Sequence, residues 1–182
     1  INAYTSFDET VYMLQVPTED PETVATGFQI LEDWAHLVSF EPDEIDKERG
    51  VVIEEWRLGR GAEARIQDQQ LPILFTDSHY AERLPIGKVE ILQNFPHEEL
   101  TRFYNTWYRA DLMAVVAVGD FDPAEIEQMI QTHFNRLPVP ASPLERPYFD
   151  VPDHAETYYA IASDPEATSS QVGALAMRTP PE

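Results

Sequence analysis

The chain changes hydrophobic rhythm several times, and the changes divide it into elements. Residues 1–7 and 10–16 have the apolar, β-branched and aromatic character of strands, with Asp8-Glu9 between them, so a hairpin with a short polar turn is predicted. Asp20-Pro21-Glu22 then follows the cap-then-proline rule for a helix start. Val24, Phe28, Leu31, Ala35 and Val38 keep helical spacing after it, which predicts a helix from Pro21 to Val38. The next stretch, Pro42 to Leu58, opens with proline and a run of acids and reads as another helix. Its pattern extends through Arg60-Gly61 toward Leu71, with Pro72 expected to end or kink it.

Between Pro72 and Ile86 no period holds, and an ordered loop with short helical pieces is expected. Phe95 to Trp107 returns to the helical rhythm, with Leu100, Phe103, Tyr104 and Trp107 predicted on its inner side. Leu112 to Val118 is a nearly continuous apolar run between Asp111 and Gly119-Asp120, the pattern of a strand covered on both faces. Asp122-Pro123 starts a helix carrying Ile126, Met129, Ile130 and Phe134. Prolines 138, 140, 143, 147 and 152 mark an extended connection, and Thr157–Ala162 and Gln171–Arg178 read as two more strands. The expected class is α+β, with helices packed mainly on one face of a mixed or antiparallel sheet, and the 182 residues read as a single domain.

Within Pro42–Leu58 one stripe breaks the rule for a core-facing side. At about 100° per residue, Ile45, Glu48, Val52 and Glu55 fall on one line. Neither carboxylate has a basic residue three or four positions away, whereas Glu54, on the other side, has Arg57 three residues on. Two unpaired carboxylates facing a core cost several kcal/mol each, so a compensating partner is expected from elsewhere. Distant Arg or Lys side chains, or a stripe left half exposed, account for them as well as a metal ion does. Two turns of helix separate the pair by about 10 Å, so only one of them can touch any single ion.

Composition narrows the partners. The balance of 12 basic to 33 acidic residues, a net charge of −21, disfavours nucleic acid and anionic membrane surfaces and favours solubility. No apolar run approaches the length of a membrane span, and no cysteine is present for disulfides or thiolate metal sites. The five histidines, at 36, 79, 97, 133 and 154, lie too far apart for a His-x-x-x-His pair, so the chain holds no self-contained zinc motif. His97 is expected in a first helical turn and His36 and His133 near helix ends. Glycine-rich phosphate loops and Gly-x-Ser-x-Gly elbows are absent.

Three segments together resemble the M16 zinc metallopeptidases, the family of pitrilysin, insulin-degrading enzyme and mitochondrial processing peptidase. Asn2-Ala3-Tyr4-Thr5-Ser6 followed by Thr10-Val11-Tyr12 resembles the family's Asn-Ala-Tyr-Thr strand and its hairpin partner. Ile45 to Glu55, IDKERGVVIEE, resembles its acidic helix, and Tyr104 to Asp122 resembles the strand approach of its C-terminal half. The resemblance implies that Glu55 is the third zinc ligand and that Glu48 supports a histidine ligand from behind. It implies that Asn2, Ala3, Tyr4 and Thr5 form an open sheet edge to which a peptide substrate adds as a strand.

The family's His-x-x-Glu-His segment, source of two ligands and the general base, lies upstream of that strand. Ile1 falls in mid-strand with no initiator methionine or signal segment before it, so upstream sequence is expected to be missing. In an intact member the zinc lowers the pKa of its water to about 7 for attack on the scissile carbonyl. The resemblance thus implies a zinc-dependent endopeptidase in which this chain supplies part of the machinery. Alone, it is expected to be inactive and not to hold Zn2+. A second M16-like domain or subunit is the expected partner, and the periplasm the expected location. The competing reading is a non-catalytic M16-like subunit that binds peptides or serves as a scaffold.

Overall fold

The computed structural model describes residues 2–176. They form two compact units, one built from residues 2–48 and 94–146 and the other from residues 49–93 and 147–176.

In the first unit, β1 (Asn2–Thr5) and β2 (Thr10–Met13) pair antiparallel, with Ala3 opposite Tyr12 and Thr5 opposite Thr10. The strands are shorter than their apolar character predicted because Ser6–Glu9 folds into the turn, where the Ser6 N–H donates to the Glu9 carbonyl at 2.8 Å. The Tyr12 ring packs 5.6 Å from Trp34, and its hydroxyl meets that of Tyr108 at 2.9 Å.

Helix α1 (Pro21–His36) starts as expected: Asp20 accepts from the Glu22 N–H and from the Thr23 hydroxyl. It ends two residues before Val38. Helix α5 (His97–Trp107) and helix α6 (Pro123–Phe134, capped by Asp122) also follow the predicted pattern. On α5, however, Phe103 and Leu100 are exposed and Trp107 only half-buried, which leaves Tyr104 to do the packing. Among the described residues the buried apolar ones are Phe28, Ile45, Tyr104, Ile126 and Leu137, all in this unit. Where α1 meets α6, the His133 ring stacks 5.9 Å from Phe28 and its Nδ1 lies 2.6 Å from a Glu32 carboxylate oxygen.

Tyr104 ties three pieces of this unit together. Its hydroxyl donates to the Trp34 carbonyl at 2.7 Å, satisfying one of the carbonyls left open by the last turn of α1. Its ring stacks on Tyr108 at 4.5 Å and meets Phe40 edge-on at 4.9 Å. Burial pushes its pKa up to about 12. Phe40 itself has φ of +54°, a left-handed conformation that costs a bulky residue about 1–3 kcal/mol and persists only where the surroundings hold it.

Helix α2 (Pro42–Leu58) begins in the first unit and continues into the second. It does not run on to Leu71. Gly59-Arg60-Gly61 breaks the ladder, and a separate helix α3 (Ala62–Leu74) starts with Gly61 as its cap. Pro72 sits inside α3 instead of ending it at Leu71, because a proline near a C-terminus removes one ladder bond, and the Phe75 N–H still reaches the Leu71 carbonyl at 2.9 Å. A 3-10 turn (His79–Glu82) and a short helix α4 (Val89–Asn94) follow; no periodicity announced the latter. Phe149 lies between His79, 4.5 Å between ring centres, and Arg83, 4.8 Å above its face.

The strands expected at Leu112–Val118, Thr157–Ala162 and Gln171–Arg178 do not form among the described residues; the last also runs beyond them. A 3-10 turn takes Ala110–Leu112, and the residues after it join no strand among the described residues. Nor is the Leu112–Val118 run covered on both faces: Val116 is 81% and Val118 92% exposed. A strand exists only through its neighbour's backbone, and among the described residues these runs have none. The class is still α+β, with the sheet reduced to a single hairpin and helices making up most of the ordered chain.

Candidate functional site

Helix α2 is unbroken across the two candidate carboxylates. Glu41 acts as its cap, with the N–H groups of Glu44 and Ile45 donating to the Glu41 carbonyl at 3.0 Å. Asp43 and Glu44 place negative charge in the first turn, where the helix dipole favours it, and Arg57 lies in the last. Ile45 is buried and Val52 half-buried, so the apolar members of the predicted stripe do face inward.

Glu48 and Glu55 do not. Both are exposed, which overturns the expectation of two carboxylates held against a core. Within each unit the packing ends short of them, so no desolvation cost arises and no compensating cation is needed. Among the described residues neither carboxylate has a hydrogen bond or an ion pair, whereas that of Glu54 binds Arg57 at 2.8 Å. The two acids are thus unpaired along their helix, as their spacing predicts, but not buried.

A zinc site needs three protein ligands. No cluster of three or more His, Asp or Glu side chains suited to a metal exists among the described residues. The chain's donor set does not by itself fit zinc: Glu55 supplies one oxygen donor, and Glu48 lies two turns away. The histidines are engaged elsewhere. His97, in the first turn of α5, places Nε2 2.8 Å from an Asp46 carboxylate oxygen. His36 and His133, near helix ends as predicted, meet the backbone and side chain of Glu32.

The other candidate, β1, is exposed at all four positions, Asn2 to Thr5. β2 covers one edge of it, and its other edge has no strand alongside among the described residues. The Tyr4 hydroxyl donates to Glu9 at 3.0 Å, which steadies the turn and raises the Tyr4 pKa.

Three features had no clear signal in the sequence. Arg109 is 4% exposed; it donates to the Leu144 carbonyl at 2.7 Å, and its Nε lies 3.1 Å from Asp111. Arg65 grips Asp164 through Nε and Nη2 at 2.7 and 2.8 Å and reaches Glu166 at 2.5 Å. Phe40 holds its strained backbone before α2. Each pairs residues far apart in the chain or depends on backbone geometry, and neither spacing nor composition carries that.

Two family models match the chain: "Insulinase (Peptidase family M16)" over residues 1–72 and "Peptidase M16 inactive domain" over residues 94–181. A zinc protease PQQL-like protein of Arabidopsis thaliana is 39% identical over 172 residues, covering 94% of this chain and 18% of that protein. The chain belongs to the M16 peptidase family. Another M16 relative, the probable zinc protease PqqL of Escherichia coli, is 35% identical, covering 76% of this chain and 15% of that protein. The crystal structure of the first half of the periplasmic protease PqqL from Escherichia coli superposes with a TM-score of 0.77 at 34% identity, over 85% of this chain and 32% of that one. A mutant of the ferredoxin protease FusC, in complex with Arabidopsis ferredoxin, superposes at 0.73 and 31% identity, over 81% of this chain and 16% of that one. The chain thus spans less than a fifth of the length of the curated M16 relatives named here. Among the described residues no helix is long and apolar enough to cross a membrane.

Proposed function

We propose that this chain is part of an M16 zinc endopeptidase, to which it brings Glu55 as a metal ligand and Glu48 as the carboxylate behind a histidine ligand. The remaining zinc ligands come from residues outside the chain, so residues 1–182 alone neither retain Zn2+ nor cleave peptide. A peptide substrate adds to the β1 edge, Asn2 to Thr5, through backbone hydrogen bonds that read extended shape more than side chains. A second M16-like domain or subunit completes the enzyme, and the periplasm is its location, as for the PqqL of Escherichia coli.

One observation supports the metal reading above others: two carboxylates seven residues apart on one unbroken helix, both exposed and unpaired among the described residues, in the segment that resembles the family's acidic helix. An exposed carboxylate with no partner is free to bind what another segment presents.

In the full-length protein, Glu55→Gln is expected to abolish stoichiometric zinc and reduce peptide cleavage at least about 1,000-fold. Glu48→Gln is expected to weaken zinc affinity about 10–100-fold, as loss of a carboxylate behind a ligand does. Zinc content by mass spectrometry and a chelator titration measure both. Full zinc content and wild-type cleavage in Glu55→Gln would reject the assignment. Absence of zinc and of cleavage in the wild-type protein itself would favour the second reading, a non-catalytic M16 subunit, for which the description "inactive domain" over residues 94–181 speaks.

A further inference from the structure

We propose that Phe40 is a positioning residue for Glu48, a proposal that rests on the peptidase reading of that carboxylate. Phe40 stands immediately before the cap of α2, and Ile45, buried, stands at the fourth helical position. Those are the two places a hydrophobic staple occupies, the device that fixes the angle at which a chain enters a helix. Here the entry angle comes with a left-handed backbone at Phe40, φ +54°, in a residue type that avoids it. Asp77, the other described non-glycine residue with positive φ, is of a type that tolerates the conformation.

What holds the strained residue is Tyr104. Its ring meets the Phe40 ring edge-on at 4.9 Å, and its hydroxyl is anchored on the Trp34 carbonyl at 2.7 Å. The next turn of α2 is tied to the same helix, since Asp46 binds His97 of α5 at 2.8 Å. All these residues lie in the unit formed by residues 2–48 and 94–146. Glu48 follows on α2 two residues after Asp46, exposed and, among the described residues, with no side-chain hydrogen bond or ion pair to fix it. Its placement is therefore inherited from the start of its helix. Strain retained at a packed residue next to a functional helix is the kind of outlier from which a role is inferred.

The test is a double-mutant cycle in the full-length protein, reading kcat and KM on an unstructured fluorogenic peptide, with hydrogen exchange over residues 41–48. Phe40→Gly accepts the backbone angle but removes the ring. It is expected to leave the melting temperature unchanged or raised, to speed exchange over 41–48 at least tenfold, and to lower kcat at least fivefold with KM within twofold. Phe40→Tyr is expected to restore both. Combined with Glu48→Gln, Phe40→Gly is expected to cost nothing further, because both act through one carboxylate.

Unchanged exchange or wild-type kcat in Phe40→Gly, beside a damaged Glu48→Gln, would overturn this proposal and leave the peptidase reading intact. Additive losses in the double variant would overturn it too. A fully active Glu48→Gln, or no cleavage by the wild-type protein, would overturn both. Should Phe40→Gly fail to fold, Phe40→Leu, which keeps bulk without an aromatic edge, carries the same comparison.

Discussion

Arg65 and Asp164 stand 99 positions apart and join α3 to the turn at Asp164–Ala167, in a unit without a buried apolar residue among those described. The Arg65 guanidinium, first, and the Glu166 backbone N–H hold the Asp164 carboxyl at about 2, below its ordinary value near 4. A carboxylate lowered in the folded state stabilises it fully above its unfolded pKa and loses that contribution as pH falls through the folded one. Between about pH 4 and pH 2 the wild-type chain should therefore lose stability more steeply than Asp164→Asn, which has no proton to take up. Urea unfolding at micromolar concentration across that window, followed by circular dichroism, measures the difference in slope. Nothing around Asp164-Pro165 announces this partner: acid before proline reads equally as turn chemistry. The same limit applies to Phe40, whose sequence neighbours predict a helix start but not a positive φ.

At the scale of elements, the helices were readable where their ends carry chemistry. Asp20-Pro21, Asp122-Pro123 and Pro42 each set a start that the structure keeps, because a cap and a fixed φ act within one turn. The exposed carboxylates show what periodicity omits: 100° arithmetic gives a shared stripe but not the length over which a neighbour covers it. Helix α2 also carries a replaceable weakness. Gly50 lies mid-helix without a positive φ, and a β-carbon there would meet no atom within 4 Å. Gly50→Ala should stabilise the protein by about 0.5–1 kcal/mol through the unfolded chain's lost freedom, visible as a higher urea midpoint at unchanged m-value. A smaller gain, or a loss, would mean that the middle of α2 bends in solution.

Over the whole molecule, the family was the most legible feature, since three motifs in order specify it even where the strands around them do not form. The hairpin strands form where predicted, whereas Leu112–Val118 and Thr157–Ala162 have the composition of strands but, among the described residues, no partner strand, and composition does not supply one. The net charge of −21 acts on every element at once. Repulsion among so many carboxylates opposes compactness, and salt screens it over about 10 Å at 0.1 M. The melting temperature should rise as sodium chloride increases from 0.01 to 0.15 M. A flat or falling curve by scanning calorimetry would show that the ion pairs, Arg65 with Asp164 foremost, outweigh the general repulsion.

The uncovered extended runs have a practical consequence. Val116, Val118, Ile161 and Val172 present bare backbone and β-branched side chains to water, the kind of surface from which copies of a chain zip together. Like-sign charge is what keeps molecules apart, and it vanishes near the isoelectric point of about 4.4. Concentrated stocks brought to that acidity should cloud and form thioflavin-binding precipitate, while the same material kept at neutral pH stays clear.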